Sequence, residues 1–232
     1  MPQFEPKNAG QKSFKRTPPA AMIRQQLARA HILAVRLIGH PGSGKTQLID
    51  ATLRSLPAPQ RVAVIVVNPA SSRDADRLRG LCGYVGHIDA AAPTAASIWR
   101  LISPLQMKNF DILLIETAGG LATLPDLGQD ATVAVFALSG GDDKAAEYSM
   151  LLKAASAAVL TKIDLHPLVK FDEGVFRRDV NSINPSAEIH ALSAVSGAGM
   201  SSWLSWLDRK RIEKTSRNAN AGAEHYKEYF IG

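Results

Sequence analysis

A chain of 232 residues with 46% hydrophobic content can bury one sizeable α/β core, and it is too short to divide into two nucleotide-binding folds. The net charge of +6 comes from bases gathered in residues 7–36 and in Arg209-Lys210-Arg211, away from the expected core and without interleaved aromatics, so it describes solvated ends and argues against a nucleic-acid partner. The single cysteine, Cys82, excludes an internal disulfide and suits a reducing compartment, and with no long apolar run and no signal-like start the expectation is a cytoplasmic protein that does not enter a membrane.

Residues 1–19 mix Lys, Asn, Gly and Pro without periodicity and read as a mobile arm. A short helix over 20–30 leads into the apolar run 32–38, the first buried strand. Gly39-His40-Pro41-Gly42-Ser43-Gly44-Lys45-Thr46 follows and fits G-x-x-x-x-G-K-[ST], and residues 47–53 open a helix, so the motif has the strand–loop–helix setting it needs. Glycines there let successive backbone N–H groups point at phosphate oxygens, and the helix N-terminus adds partial positive charge. The expected phosphate cradle is Gly42, Ser43, Gly44, Lys45, Thr46 and Gln47, with Lys45 reaching the β- and γ-phosphates and the Thr46 hydroxyl on Mg²⁺.

The β-branched run 61–67 is a second strand that ends at Asn68-Pro69. Residues 72–78 read as a capped helix start, and residues 92–105 as a helix with Ile98, Leu101, Ile102 and Leu105 on one side. A third strand over 110–116 ends in the acid Glu116, and residues 117–129 look like a loop that moves around a ligand. Strand 131–138, helix 142–155, strand 157–160, helix 171–183, strand 188–192 and helix 200–207 complete the chain, the last with Trp203 and Trp206 in the core. Such alternation implies a mainly parallel sheet in three layers, with the ligand at the carboxyl ends of the strands. One domain over 20–211 is expected, followed by a polar tail over 212–232.

Thr161-Lys162-Ile163-Asp164 sits where a guanine-reading N-K-x-D would sit. Asp164 would accept from the guanine N1–H and N2–H, and Lys162 would lie along the ring; Thr161 in place of Asn removes the usual amide buttress. Ser193-Ala194, after the next strand, resembles the loop whose backbone N–H contacts guanine O6. GTP or GDP is therefore the expected nucleotide.

From residue 32 to 207 the chain resembles the nickel-insertion GTPases of hydrogenase maturation, the HypB type of SIMIBI-type P-loop NTPase, and more distantly the urease accessory GTPases. The P-loop, residues 73–77, 87–90, 116–119, 126–128 and 161–165 carry the likeness, and Gly141-Asp142-Asp143-Lys144 and the tract from Asn184-Pro185 to Trp206 are its most specific parts. The resemblance implies a slow GTPase in which Lys45, Asp74 and Glu116 serve hydrolysis and Thr46 and Glu116 hold Mg²⁺. It also implies a GTP-dependent homodimer that passes metal to a hydrogenase precursor or works with another maturation protein. Departures bear on the metal. Gly86-His87 stands where the family has Cys-His, Thr123 or a neighbour where it has another Cys, and Asn68 where its first switch has Asp, so hydrolysis would fall to Asp74, Asp76 or Glu116. Two readings stay open: a rebuilt Cys82/His87 site for Ni²⁺ or Zn²⁺, or a metal-free GTP switch that docks a protein and hydrolyses little.

Overall fold

The structure, a computed structural model, describes residues 17–67, 72–90, 93–117 and 125–230, the last span with side chains through Asn218. Asn68, Thr123 and most of the arm therefore lie outside the described residues. β1 (Leu33–Ile38), β2 (Val62–Val67), β3 (Tyr84–Ile88), β4 (Ile112–Thr117), β5 (Ala131–Ala137), β6 (Ala157–Thr161) and β7 (Glu188–Ala191) form one sheet in the order β3-β2-β4-β1-β5-β6-β7. All its pairings are parallel. Near-continuous Val, Ile, Leu and Ala in β1, β2, β4 and β5 leave both faces buried, as strands covered by helices on either side require.

Alternation along β1 assigns the faces. Leu33, Val35 and Leu37 pack with Leu48, Ile49 and Leu53 of α2 (Lys45–Ser55) and with Trp203, Trp206 and Leu207 of α8 (Met200–Phe230). Ala34 faces the other way, with Ile23 and Leu27 of α1 (Pro19–Arg29) and Ile98 and Ile102 of α4 (Ala95–Ile102). Ile38 on that same face meets a cluster that includes Leu151, Leu152 and, from α7 (Glu173–Ile183), Phe176 and Val180. The result is the three-layer α/β architecture of a P-loop NTPase. β1 sits at the centre, where the chain runs first to one edge and then to the other, and the loop after it opens at the switch point of the topology.

Three elements differ from expectation. β3 had no strand signal, because Gly86 interrupts a five-residue edge strand whose side chains are only partly covered. The helix expected over 142–155 is two short ones, α5 (Lys144–Glu147) and α6 (Ser149–Lys153), broken at Tyr148 with φ −100° and ψ 33°. Lastly, α8 runs through residue 211 to Phe230. Lys214 Nζ donates to Asp130 Oδ1 at 2.5 Å and Asn218 Nδ2 to Ala28 O at 2.9 Å, which ties the polar half of α8 to the entry of β5 and the end of α1, at the end of the sheet opposite the P-loop.

Candidate nucleotide site

The P-loop is set by two glycines for different reasons. A Cβ on Gly39 would lie 2.3 Å from the Val135 carbonyl oxygen, so only glycine lets the loop leave β1 against β5. Gly44, the residue before α2, has φ +89° and would crowd the Thr161 hydroxyl at 3.0 Å. Between them Lys45 is buried, and its ammonium donates to Gly39 O at 2.8 Å, His40 O at 3.0 Å and Ser43 Oγ at 3.4 Å. Burial pulls the Lys45 pKa down while Glu116 and Asp74 pull it back up. The ammonium is thus held over the loop by neutral acceptors that phosphate oxygens would outcompete.

Glu116 and Thr46 meet across two elements. β1 and β4 pair with Leu37 opposite Glu116, which brings the acid beside the first turn of α2, and Thr46 Oγ1 donates to Glu116 Oε1 at 2.7 Å. Glu116 Oε2 is buried with no hydrogen-bond partner among the described residues. Burial raises the Glu116 pKa most; the Thr46 hydrogen bond and the Lys45 charge oppose it, Asp74 adds to it and Arg77 opposes it. Asp74, on α3 (Arg73–Leu78), is thereby in electrostatic reach of both Lys45 and Glu116. Asp76 is engaged elsewhere, paired with Arg79 and accepting from the Ser72 hydroxyl at 3.0 Å. A hydroxyl, a buried carboxylate with an unused oxygen and a second acid nearby are hard oxygen donors, few in number, which fits Mg²⁺ bound partly by water and substrate phosphates.

At the other end of the loop, a cavity of about 260 Å³ is lined by Gly44, Gln47, Thr161, Lys162, Asp164, Leu165, Ala194 and Val195. The two base-reading segments expected from sequence therefore share one wall. Ile163 N–H donates to Leu192 O at 3.3 Å, and Ser193 Oγ accepts from the backbone N–H groups of Val195 and Ser196, which curls the second segment toward the first. Thr161 has no amide to offer, but its hydroxyl ties this loop down: it lies 2.7 Å from Ser43 O and 3.1 Å from Phe136 O. Lys162, in the left-handed region at φ +61°, donates from Nζ to Gly42 O at 2.8 Å, so the loop is fastened to the P-loop at two points.

A second cavity, about 330 Å³, lies on the far side of Lys162 and is walled by the first half of the P-loop, the end of β5 and the side chains of Lys144, Tyr148 and Leu151. The His40 and Tyr148 rings lie 5.9 Å apart on its rim. Of its walls, sequence reasoning assigned only P-loop residues and Lys162 to a site and missed Lys144, Tyr148 and Leu151; Gly141-Asp142-Asp143-Lys144, noted for family likeness alone, was the available signal.

Cys82 and His87 stand toward opposite ends of β3. Cys82 lies two residues before β3 with its Sγ 3.3 Å from Tyr84 O, whereas His87 is the fourth residue of that strand; three strand residues at about 3.3 Å each put about 10 Å between Tyr84 and His87. Burial pushes the Cys82 thiol pKa up, against the thiolate a soft metal needs. Among the described residues no group of three or more His, Cys, Asp or Glu side chains is placed to hold a metal ion. Gly86 is closely surrounded as well: a Cβ there would meet Leu101 Cδ1 at 2.9 Å.

Residues 33–191 match the model of the CobW/HypB/UreG nucleotide-binding domain. The chain belongs to that family. Within it the likeness is to HypB: the hydrogenase maturation factor HypB of Escherichia coli K12 is 34% identical over 198 residues, 81% of this chain and 67% of that protein. The crystal structure of HypB from Archaeoglobus fulgidus superposes with a TM-score of 0.75 at 26% identity, covering 83% of this chain and 97% of that one. HypB from Helicobacter pylori, solved in complex with nickel, shares the fold with a TM-score of 0.77 at 24% identity, over 85% of this chain and 95% of that one. The chain spans about two thirds of the length of several curated relatives it matches.

Proposed function

We propose that the protein binds and slowly hydrolyses GTP as a maturation factor that assists assembly of a metal centre, nickel in the first instance, in a client enzyme such as a hydrogenase. The observation that carries the nucleotide reading is the joining of Asp164 and Ala194 in one cavity that abuts the P-loop at Gly44. In this reading the P-loop N–H groups and Lys45 bind the phosphates, Asp164 accepts from the guanine edge, and Ala194 offers a backbone N–H to O6. Asp74, whose charge acts on both Lys45 and Glu116, would orient the attacking water. Thr46 and Glu116 would hold Mg²⁺, which when bound neutralises charge on the phosphate oxygens. The relatives' names support the role of a maturation factor; a GTP-dependent homodimer, a client or maturation-protein partner and a cytoplasmic location are the further parts of this proposal. Among the described residues no helix is long and apolar enough to cross a membrane.

A second reading has its own support. The separation of Cys82 from His87 along β3 and the buried thiol favour a GTP-dependent protein-docking switch that carries no transition metal.

The nucleotide reading is tested by affinities for GTP and ATP in the parent and in Asp164→Asn. The parent should prefer GTP, and the variant should lose about 1.5–3 kcal/mol of that preference, the worth of hydrogen bonds to a charged group. Equal affinity of the parent for the two nucleotides would refute the guanine assignment.

A further inference from the structure

Arg36 is fully buried in the middle of β1, three residues before Gly39. Its Nε donates to Thr117 Oγ1 at 3.2 Å and its Nη1 to Pro125 O at 2.9 Å; Nη2 has no acceptor among the described residues. No carboxylate there forms an ion pair with it, and desolvation lowers its pKa to about 10. A guanidinium buried on neutral acceptors alone, with one donor unsatisfied, costs stability more than it contributes. Its contacts, however, fall at a telling place. Thr117 is the residue after Glu116, its own hydroxyl reaches back to Leu37 O at 3.5 Å, and Leu37 is the residue paired with Glu116.

Resting on the Mg²⁺ reading above, the geometry points to Arg36 as a positioning residue that fixes the carboxyl end of β4 against the P-loop strand, so that Glu116 stays in register with Thr46 for Mg²⁺-dependent nucleotide binding. Arg36 touches neither phosphate nor base. It acts through Thr117, and it grips Pro125, where the chain returns toward β5, with the same group. A methionine of similar reach would fill the space without gripping either segment.

The test is titration of the full chain with a fluorescent GTP analogue, in Mg²⁺ and in EDTA, beside thermal unfolding. Arg36→Met should melt within about 4 °C of the parent, because removing a buried charge that has no ion-pair partner among the described residues offsets the lost hydrogen bonds. Its affinity in EDTA should be unchanged, while the increment given by Mg²⁺ falls about tenfold, the lesser cost of losing a group that orients a metal ligand. Arg36→Lys, which reaches one acceptor but not both, should recover part of the increment. Thr117→Val keeps the guanidinium and loses its acceptor, so it should reproduce the defect, and the double variant should be no worse than Arg36→Met alone. A parental Mg²⁺ increment in Arg36→Met, or equal losses in Mg²⁺ and EDTA, would overturn the proposal. Should Arg36→Met not fold, a parental increment in Thr117→Val overturns it equally. A parent with no Mg²⁺ increment would instead defeat the assignment of Glu116 and Thr46, and this proposal with it.

Discussion

A carboxyl group with one oxygen on a hydroxyl and the other buried without a partner is poised for proton exchange, and among the described residues Glu116 is such a group. Burial holds its pKa above the ordinary 4.5, so in the nucleotide-free protein the proton stays on over a window above that value. A raised folded pKa contributes stability that is complete below the unfolded value and is lost as pH rises through the folded one. Metal binding needs the carboxylate and therefore releases that proton. Mg²⁺-dependent affinity for GTP should climb with pH across the window, by up to about tenfold per pH unit for one proton, and level off above it. Titrations at a series of pH values, repeated with Glu116→Gln, check this. The variant should bind with a flat profile, and a slope that survives the substitution would show that another group titrates.

The meeting of β7 with α8 carries a different titration. Trp203 and Trp206 stack with ring centres 5.2 Å apart, and the His190 ring stands edge-on to both at 6.3 and 6.1 Å. His190 Nδ1 is 2.8 Å from Ser202 Oγ, while Nε2, like Trp206 Nε1, is buried without a partner among the described residues. Trp203 Nε1 donates to Thr52 Oγ1 at 2.9 Å, which locks the start of α8 onto α2. Burial depresses the His190 pKa below 6.5; Glu188 on the same strand opposes this and Arg209 on α8 adds to it. A depressed folded pKa gives stability that is complete above 6.5 and drains as pH falls from there through the folded value. Tryptophan-monitored denaturation should therefore show stability declining over that window in the parent, and His190→Phe should keep the slope from appearing. If the parent is equally stable on both sides of the window, the ring is not desolvated in the way its contacts require.

At the scale of the whole molecule, the question is whether the edge of the sheet carries metal. β3 is the outermost strand beside β2, and His87 and Cys82 are set toward its opposite ends, an arrangement that does not favour a shared ion within a subunit. Two copies related by a two-fold axis would have to bring Cys82 of one near His87 of the other, and the thiol would first have to leave its contact with Tyr84 O. Nickel titration of the GTP-loaded protein should show only weak binding that Cys82→Ser and His87→Ala leave unaltered. Tight binding lost in both variants would establish a site that needs both side chains and restore metal delivery; sedimentation of the same samples would show whether GTP makes the protein dimerise.

Much of this protein is written in local pattern. The P-loop is legible because its chemistry needs glycines at fixed offsets, and the strands because both faces of a parallel sheet are buried, which makes each a run of apolar residues; that Asp164 and Ala194 line one cavity could be anticipated because each lies in a segment that directly follows a strand at the carboxyl end of the sheet. Tertiary structure alone decided the rest, since those features depend on contacts far apart in the chain. Thr161 ties the base loop to the P-loop through Ser43 O, 118 residues away, a role its side chain does not announce. The edge strand β3 exists because β2 offers it a ladder, and the polar half of α8 is positioned by Asp130 and Ala28 and not by an apolar stripe of its own. Arg36 looked like one more base among those near the amino end, and only the packing of β1 between β4 and β5 buries it where it grips Thr117 and Pro125.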